Sequence, residues 1–148
     1  MTDKPFVSVV VPTYNRGKLV RQCVESLFIQ DYPIKKYEII VVNDGSKDNT
    51  EQILRELNGI TPVKFLWFNQ ENKGVSAARN LGISKSSGEI ICFIDDDCIA
   101  DQGWLSNIIA TYSQSRIGGV GGKLVPIPPE SLIERYAHKT FHSITLKN

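Results

Sequence analysis

Three aspartates in a row, Asp95, Asp96 and Asp97, end an apolar run, Glu89-Ile-Ile-Cys-Phe-Ile94. A strand that delivers three carboxylates to one place crowds like charges, which is costly unless a cation or hydrogen-bond donors compensate. A hard divalent cation, Mn2+ or Mg2+, suits that task. It takes oxygen ligands and is commonly held by one or two carboxylates together with substrate phosphates. The alternative is that one aspartate caps the following turn while the others face water. Three further places carry compatible chemistry. Tyr14, in Pro12-Thr-Tyr-Asn-Arg16, could stack on a nucleobase or pack its ring against the next helix. Asp44, in Val42-Asn-Asp-Gly-Ser46, could accept a hydrogen bond from a ligand's ring N–H; as a turn residue, it or Ser46 could instead cap the next helix. Asn72-Lys-Gly-Val-Ser-Ala-Ala-Arg-Asn80 opens a helical pattern whose N-terminus favours anions. Gly74 there would let the backbone approach a ligand, and Arg79 is either a charge-assisted donor to phosphate or a solvent-facing arginine. His138 and His142 share a helix face but have no third ligand nearby, so a solvated face is the expectation for them.

These residues need elements to carry them, and the chain supplies an alternation. Short β-branched runs at Phe6–Val11, Glu38–Val42, Val63–Phe68 and Glu89–Ile94 read as strands, with Pro12 ending the first. Between them, Leu19, Val20, Cys23, Val24, Leu27 and Phe28 recur at helical spacing. So do Ile53, Leu54 and Leu57, closed by Asn58-Gly59, and then Val75, Ala78, Leu81 and Gly82. A fourth helical stripe runs from Trp104 to Tyr112. Ile117–Val125 reads as a fifth strand weakened by four glycines. Beyond Pro126, residues 132–141 would form one amphipathic helix, giving a helical extension over 126–148 whose apolar face has nothing obvious to pack on. Strand–helix alternation predicts an α/β fold, a mostly parallel central sheet with helices on both faces. In such folds ligands bind beyond the carboxyl ends of the strands. Thr13-Tyr-Asn15, Asn43-Asp-Gly45 and Asp95–Asp97 all fall at such ends, so the distinctive polar residues converge on one edge of the sheet.

Composition narrows the class. The 148 residues predict one domain, 1–148, with a formal net charge of +1. That balance gives no reason to expect nucleic acid as a partner. Three cysteines, Cys23, Cys92 and Cys98, lack metal-ligand spacing and point to a reducing, cytoplasmic setting. The first residues do not resemble a signal peptide, and no apolar run approaches the roughly 18 residues of a membrane span. Membrane association would come through a longer form of the protein or a lipid-linked partner. There is no P-loop, no Gly-x-Gly-x-x-Gly after the first strand and no Gly-x-Ser-x-Gly elbow, which weakens NTPase, dehydrogenase and serine-hydrolase readings.

Four segments, Val7-Ser-Val-Val-Val-Pro-Thr-Tyr-Asn15, Ile39-Ile-Val-Val-Asn-Asp-Gly-Ser46, Asn72–Gly82 and Phe93-Ile-Asp-Asp-Asp97, together resemble the family 2 glycosyltransferases with the Rossmann-like, three-layer GT-A fold. Their order, over residues 6–125, makes the resemblance specific. It implies a nucleotide-sugar donor, most often a UDP-sugar, held with Mn2+ or Mg2+. On that resemblance Pro12, Thr13, Tyr14, Asn15, Asp44, Gly74, Arg79, Asp95 and Asp96 would form the donor site. Tyr14 would stack on the base, Asp44 would read its edge, and Arg79 would lie near the nucleotide. Asp97, with Asp95, would bind the metal, and Asp95 or Asp96 would face the ribose or donor sugar. Asn43 departs from the Asp-Asp-Gly-Ser form often seen in the family, with Asp44 retained. The resemblance also implies transfer with inversion and a general base from a later acceptor-binding segment. Glu130 and Glu134 sit in the wrong part of the motif order for that role, so no catalytic base is assigned. The expectation is therefore a donor-binding portion without its acceptor-binding part, binding UDP with a metal but transferring sugar poorly by itself. The acceptor, a saccharide, lipid or protein, is left open, and the apolar face at 132–141 could serve a homodimer. Two other classes compete: a non-catalytic nucleotide-sugar-binding module, and a Mg2+-dependent phosphatase of the haloacid-dehalogenase type with Asp95 as nucleophile. Against the latter, the motif lies far along the chain and is followed by Cys98-Ile99.

Overall fold

The computed structural model describes residues 4–113 and 118–125. Four strands, β1 (Val7–Thr13), β2 (Tyr37–Asn43), β3 (Lys64–Asn69) and β4 (Ile90–Phe93), alternate with α1 (Gly17–Phe28), α2 (Thr50–Ile60), α3 (Val75–Lys85) and α4 (Trp104–Ser113). The strands form one sheet in the order β3-β2-β1-β4, and every pairing is parallel. Period-two alternation divides the core. Val7, Val9, Val11, Ile39 and Val41 point to one face, where α1, α2 and α4 contribute Val20, Val24, Leu27, Leu54, Leu57 and Leu105. Val10, Ile40 and Val42 point to the other face, against Ala78 of α3. Both faces of β1 and β2 are covered, which explains why their central residues, Val9–Val11 and Ile39–Val42, are apolar without alternation. Gly82 sets the distance between α3 and the sheet: a Cβ there would lie 2.3 Å from Val10 Cγ1.

The ends of β1 and α2 and the presence of a fifth strand differ from the sequence reading. β1 does not end before Pro12 but runs through it to Thr13. The Val10 carbonyl faces β4, accepting from Ile94 N at 3.2 Å, and Pro12, two residues on, faces the same way. β4 pairs no further than Phe93 with Val10, so the missing proline N–H has no ladder partner to lose. α2 continues past Gly59 to Ile60, where Thr61 turns extended at ψ 134 ahead of Pro62. Packing of Ile53, Leu54 and Leu57 outweighs the cost of one exposed glycine, about 1 kcal/mol. The fifth strand is absent over residues 118–125, which follow an irregular path. Four glycines there give up too much chain entropy, and too little side-chain packing, for a strand. The predicted helix at 132–141, His138, His142, Glu130 and Glu134 lie outside the described residues.

The end of the sheet remote from the strand C-termini is closed by a buried carboxylate. Glu38 is fully buried, and its Oε1 accepts from Ser8 Oγ (2.6 Å), Ser87 N (2.8 Å) and Ser87 Oγ (2.7 Å). Its other oxygen pairs with Lys64 Nζ at 2.6 Å. Burial alone would push this carboxyl up; Lys64, Ser8 and Ser87 outweigh it and hold the group at about 2. The network joins β1, β2, β3 and the α3–β4 turn at one point.

Candidate functional site

The order β3-β2-β1-β4 reverses direction between β1 and β4. Chain connections leave to opposite faces there, and a crevice must open at the strands' carboxyl ends. A cleft of about 610 Å3 occupies that place. Pro12, Thr13, Tyr14, Asp44, Gly74, Arg79, Asp95, Asp96 and Asp97 line it, joined by Arg16, Asn72, Val75 and Ala78. Tyr14 is 43% exposed, so its ring is not consumed by packing against α1. Of the expected donor-site residues, Asn15 does not line the cleft. Its backbone is left-handed at φ 52, its N–H donates to Ser46 Oγ (2.8 Å), and its Oδ1 accepts from Lys47 N (2.6 Å). It ties the loop after β1 to the loop after β2.

The three aspartates are not equivalent. Asp96 is buried at 5% exposure; one oxygen accepts from Thr13 Oγ1 at 2.8 Å and the other from Arg16 Nη1 at 3.0 Å. The same Arg16 nitrogen lies 3.1 Å from Asp97 Oδ2. Asp95 pairs with Arg79 Nη2 at 2.6 Å. Asp95 and Asp97 remain about half exposed, at 56% and 51%. None of the three caps the following turn with its side chain in the described contacts; that turn closes through the Asp95 carbonyl and Cys98 N. The like-charge problem is therefore met partly by the chain, with two guanidiniums set against three carboxylates.

Asp44 is also buried, at 4% exposure. Its Oδ1 accepts from Gln70 Nε2 (2.6 Å) and Lys73 N (2.9 Å), and its Oδ2 from Gly74 N (2.9 Å). Burial would raise this carboxyl; the Lys73 amide, Gln70 and the Gly74 amide outweigh it and bring it below its ordinary value. Oδ2 accepts a single protein bond and keeps a lone pair for a ligand N–H. Gly74, which precedes α3, has φ 89, a conformation that a side chain would strain. Neither Asp44 nor Ser46 caps α2. Asn49 holds the N-cap position without a side-chain cap; just before it, Asp48 Oδ1 accepts from Thr50 N and Oγ1 while its Oδ2 accepts from Gly17 N (3.1 Å), joining the starts of α1 and α2.

A divalent cation fits these residues. Among the described residues no group of three or more His, Cys, Asp or Glu side chains converges on one point. A site made only by protein is therefore not formed by them, whereas Mg2+ and Mn2+ are ordinarily held by one or two carboxylates plus phosphates. Asp97 and Asp95, half exposed on the cleft wall, are the two available.

Residues 8–147 match the model of glycosyl transferase family 2, and the chain belongs to that family. It is 35% identical over 143 residues to glycosyltransferase AglE of Haloferax volcanii, an alignment covering 97% of this chain and 47% of AglE. Among solved structures, the mannosyltransferase PcManGT from Pyrobaculum calidifontis, in complex with GDP-Man and Mn2+, matches with a TM-score of 0.70 at 31% identity, over 73% of this chain and 32% of that one. S. aureus TarS 1–349, in complex with UDP-GlcNAc, matches with a TM-score of 0.66 at 29% identity, over 82% of this chain and 37% of TarS. The fold is thus the GT-A, Rossmann-like α/β fold. The chain spans about half the length of AglE and about a third of these two structures. The haloacid-dehalogenase alternative gains no support from the family match.

The sequence reading missed Arg16, Gln70 and Asp48. Arg16 adjoins the Tyr14 motif and Gln70 follows β3, so position in the motif order was the available signal. The partners of Arg16 and Gln70 are distant in sequence, and no local pattern names them; Asp48 serves Thr50 two residues on as well as the distant Gly17.

Proposed function

We propose that this chain carries the donor-binding part of an inverting, metal-dependent glycosyltransferase whose donor is a UDP-sugar. The observation that carries the reading is the convergence of Tyr14, Asp44, Arg79 and Asp95–Asp97 on one cleft at the sheet's switch point. In this reading Tyr14 stacks on the base, and Asp44 Oδ2 accepts the uracil ring N–H. Pro12, Thr13 and Gly74 shape the walls. Asp97, with Asp95, holds Mn2+ or Mg2+. Asp95 is the freer choice for the ribose or donor sugar, since both oxygens of Asp96 are taken by Thr13 and Arg16. Arg79 leaves Asp95 for the diphosphate. A bound cation would act as a Lewis acid, offsetting charge on the departing diphosphate. The bound nucleotides of PcManGT and TarS differ, so the preference for uracil rests on Asp44 and Tyr14 alone.

Arg79, Asp95 and Asp97 also line a second, larger groove of about 1350 Å3 beside β4, bounded by Trp104, Tyr112 and residues 118–125. An acceptor entering along it would meet the donor at the aspartates. Direct displacement needs a base to take the acceptor's proton; no residue described here is assigned to it. The acceptor in this reading is a saccharide, lipid or protein, and the site of action is cytoplasmic, with which the free thiols of Cys23, Cys92 and Cys98 are compatible.

The test is calorimetric titration of UDP, and of GDP for comparison, into the chain with Mn2+ and then with EDTA. UDP binding that requires the metal and exceeds GDP binding is expected. Binding indifferent to EDTA would refute the metal's place in the site, and no binding would refute the reading. Tight metal-dependent UDP binding with no transfer to any acceptor, even in longer forms, would favour a non-catalytic donor-binding module.

A further inference from the structure

Arg16 belongs to no role assigned so far, yet it touches two of the three aspartates. Its Nη1 bridges Asp96 Oδ1 at 3.0 Å and Asp97 Oδ2 at 3.1 Å. The two contacts differ in kind. Asp96 is buried and is also held by Thr13 Oγ1, so it is a fixed anchor. Asp97 is half exposed, and its other described contact is a 3.7 Å hydrogen bond from Cys98 Sγ to Oδ1, a weak donor. Arg16 is itself half exposed and stands on the cleft wall at the start of α1. One end of this bridge is locked and the other is free to exchange.

We propose that Arg16 is a positioning residue that substitutes for the divalent cation at Asp97 while the donor is absent, and turns to the diphosphate when metal and donor enter together. This rests on the reading of Asp97 as a metal ligand. A guanidinium has five N–H donors in a fixed fork, and the contacts to Asp96 and Asp97 use one nitrogen. The rest of the fork can engage phosphate oxygens while Asp96 keeps the side chain in place. Metal alone must compete with Arg16 for Asp97, whereas metal with diphosphate gives Arg16 a new anionic partner. Arg16 thus opposes free metal and favours the metal–nucleotide pair, which links the two binding events.

The experiment compares the 148-residue chain with Arg16→Gln and Arg16→Lys. MnCl2 alone is titrated by electron paramagnetic resonance of free Mn2+, and UDP by calorimetry at saturating Mn2+. Arg16→Gln should bind free Mn2+ about threefold more tightly and UDP about tenfold more weakly. Arg16→Lys keeps the charge but not the fork, so it should match the parent for free Mn2+ and still bind UDP less tightly. A glutamine variant that binds free Mn2+ no more tightly than the parent, or that loses both ligands together with its thermal stability, overturns the proposal. If the glutamine variant does not fold, parent-like UDP affinity in the lysine variant overturns it instead. A parent chain without Mn2+-dependent UDP binding sinks the donor-site reading and this proposal with it, whereas parent binding with unchanged variants sinks this proposal alone.

Discussion

Replacing Asp44 by asparagine tests the cradle on which base recognition depends. The aspartate accepts three protein hydrogen bonds, two on Oδ1 and one on Oδ2. An asparagine turns one of these oxygens into a donor. With the amide nitrogen at the Oδ2 position, it faces the Gly74 N–H; with the nitrogen at the Oδ1 position, it faces the Lys73 N–H. Gln70 can flip to present its own oxygen, but a backbone amide cannot. At least one buried N–H therefore loses its acceptor in either orientation, and the other bonds lose their ionic partner. Hydrogen bonds to charged groups contribute about 1.5–3 kcal/mol, and an orphaned donor costs about 1–3 kcal/mol, so a loss of about 2–3 kcal/mol at pH 7 is expected. The carboxyl is held below its ordinary value in the folded chain. Its contribution is therefore complete above the unfolded value of about 3.9 and disappears as pH falls through the folded value. Urea unfolding of parent and variant at pH 7 and at successively lower pH measures both features. The gap should be widest near neutrality and narrow below about pH 3.9. UDP binding should fall in parallel. A variant within 0.5 kcal/mol of the parent at pH 7, or a gap that does not change with pH, would show that the three-donor cradle is not formed; ~0.5 kcal/mol is the usual range for a neutral surface change.

Other perturbations probe separate parts of the structure. Asp97→Asn should weaken Mn2+-dependent UDP binding strongly and leave the melting temperature unchanged or slightly raised, because a like charge is removed; unchanged binding would remove Asp97 from the metal site, and loss of the fold would make it structural. For Glu38 the step from the ordinary 4.5 to about 2 corresponds to roughly 3 kcal/mol of stability, present in full above pH 4.5 and lost as pH falls toward 2. Glu38→Gln should thus remove about that much of the difference between neutral and acid stability, and an acid-unfolding curve identical to the parent's would exclude the network as a contributor. Gly82→Ala must push apart α3 and Val10, and a loss of about 1–3 kcal/mol is expected; chemical denaturation at parent-like midpoints would show that the sheet absorbs the methyl.

The strand–helix alternation, the parallel sheet and the edge on which the site lies were all legible in the sequence. Each of these follows from local periodicity: apolar runs at Val7–Val11 and Ile39–Val42, stripes at 3.6-residue spacing, and polar motifs where the strands stop. Boundaries set by neighbours were not legible. Pro12 continues β1 only because β4 pairs no further than Phe93, and α2 passes Gly59 because its apolar face is already anchored. The glycines of residues 118–125 were correctly seen as a weakness, and the strand drawn through them does not form. The sequence also determined that three carboxylates would need compensation at residues 95–97. Tertiary structure alone decided which groups supply it: Thr13 and Arg16, brought to β4 by the β1–β4 pairing, and Arg79, brought by α3. A carboxylate's type can be read at its own position, but its partner cannot. Coulomb attraction and hydrogen bonding depend on distance in space, which folding sets independently of distance along the chain.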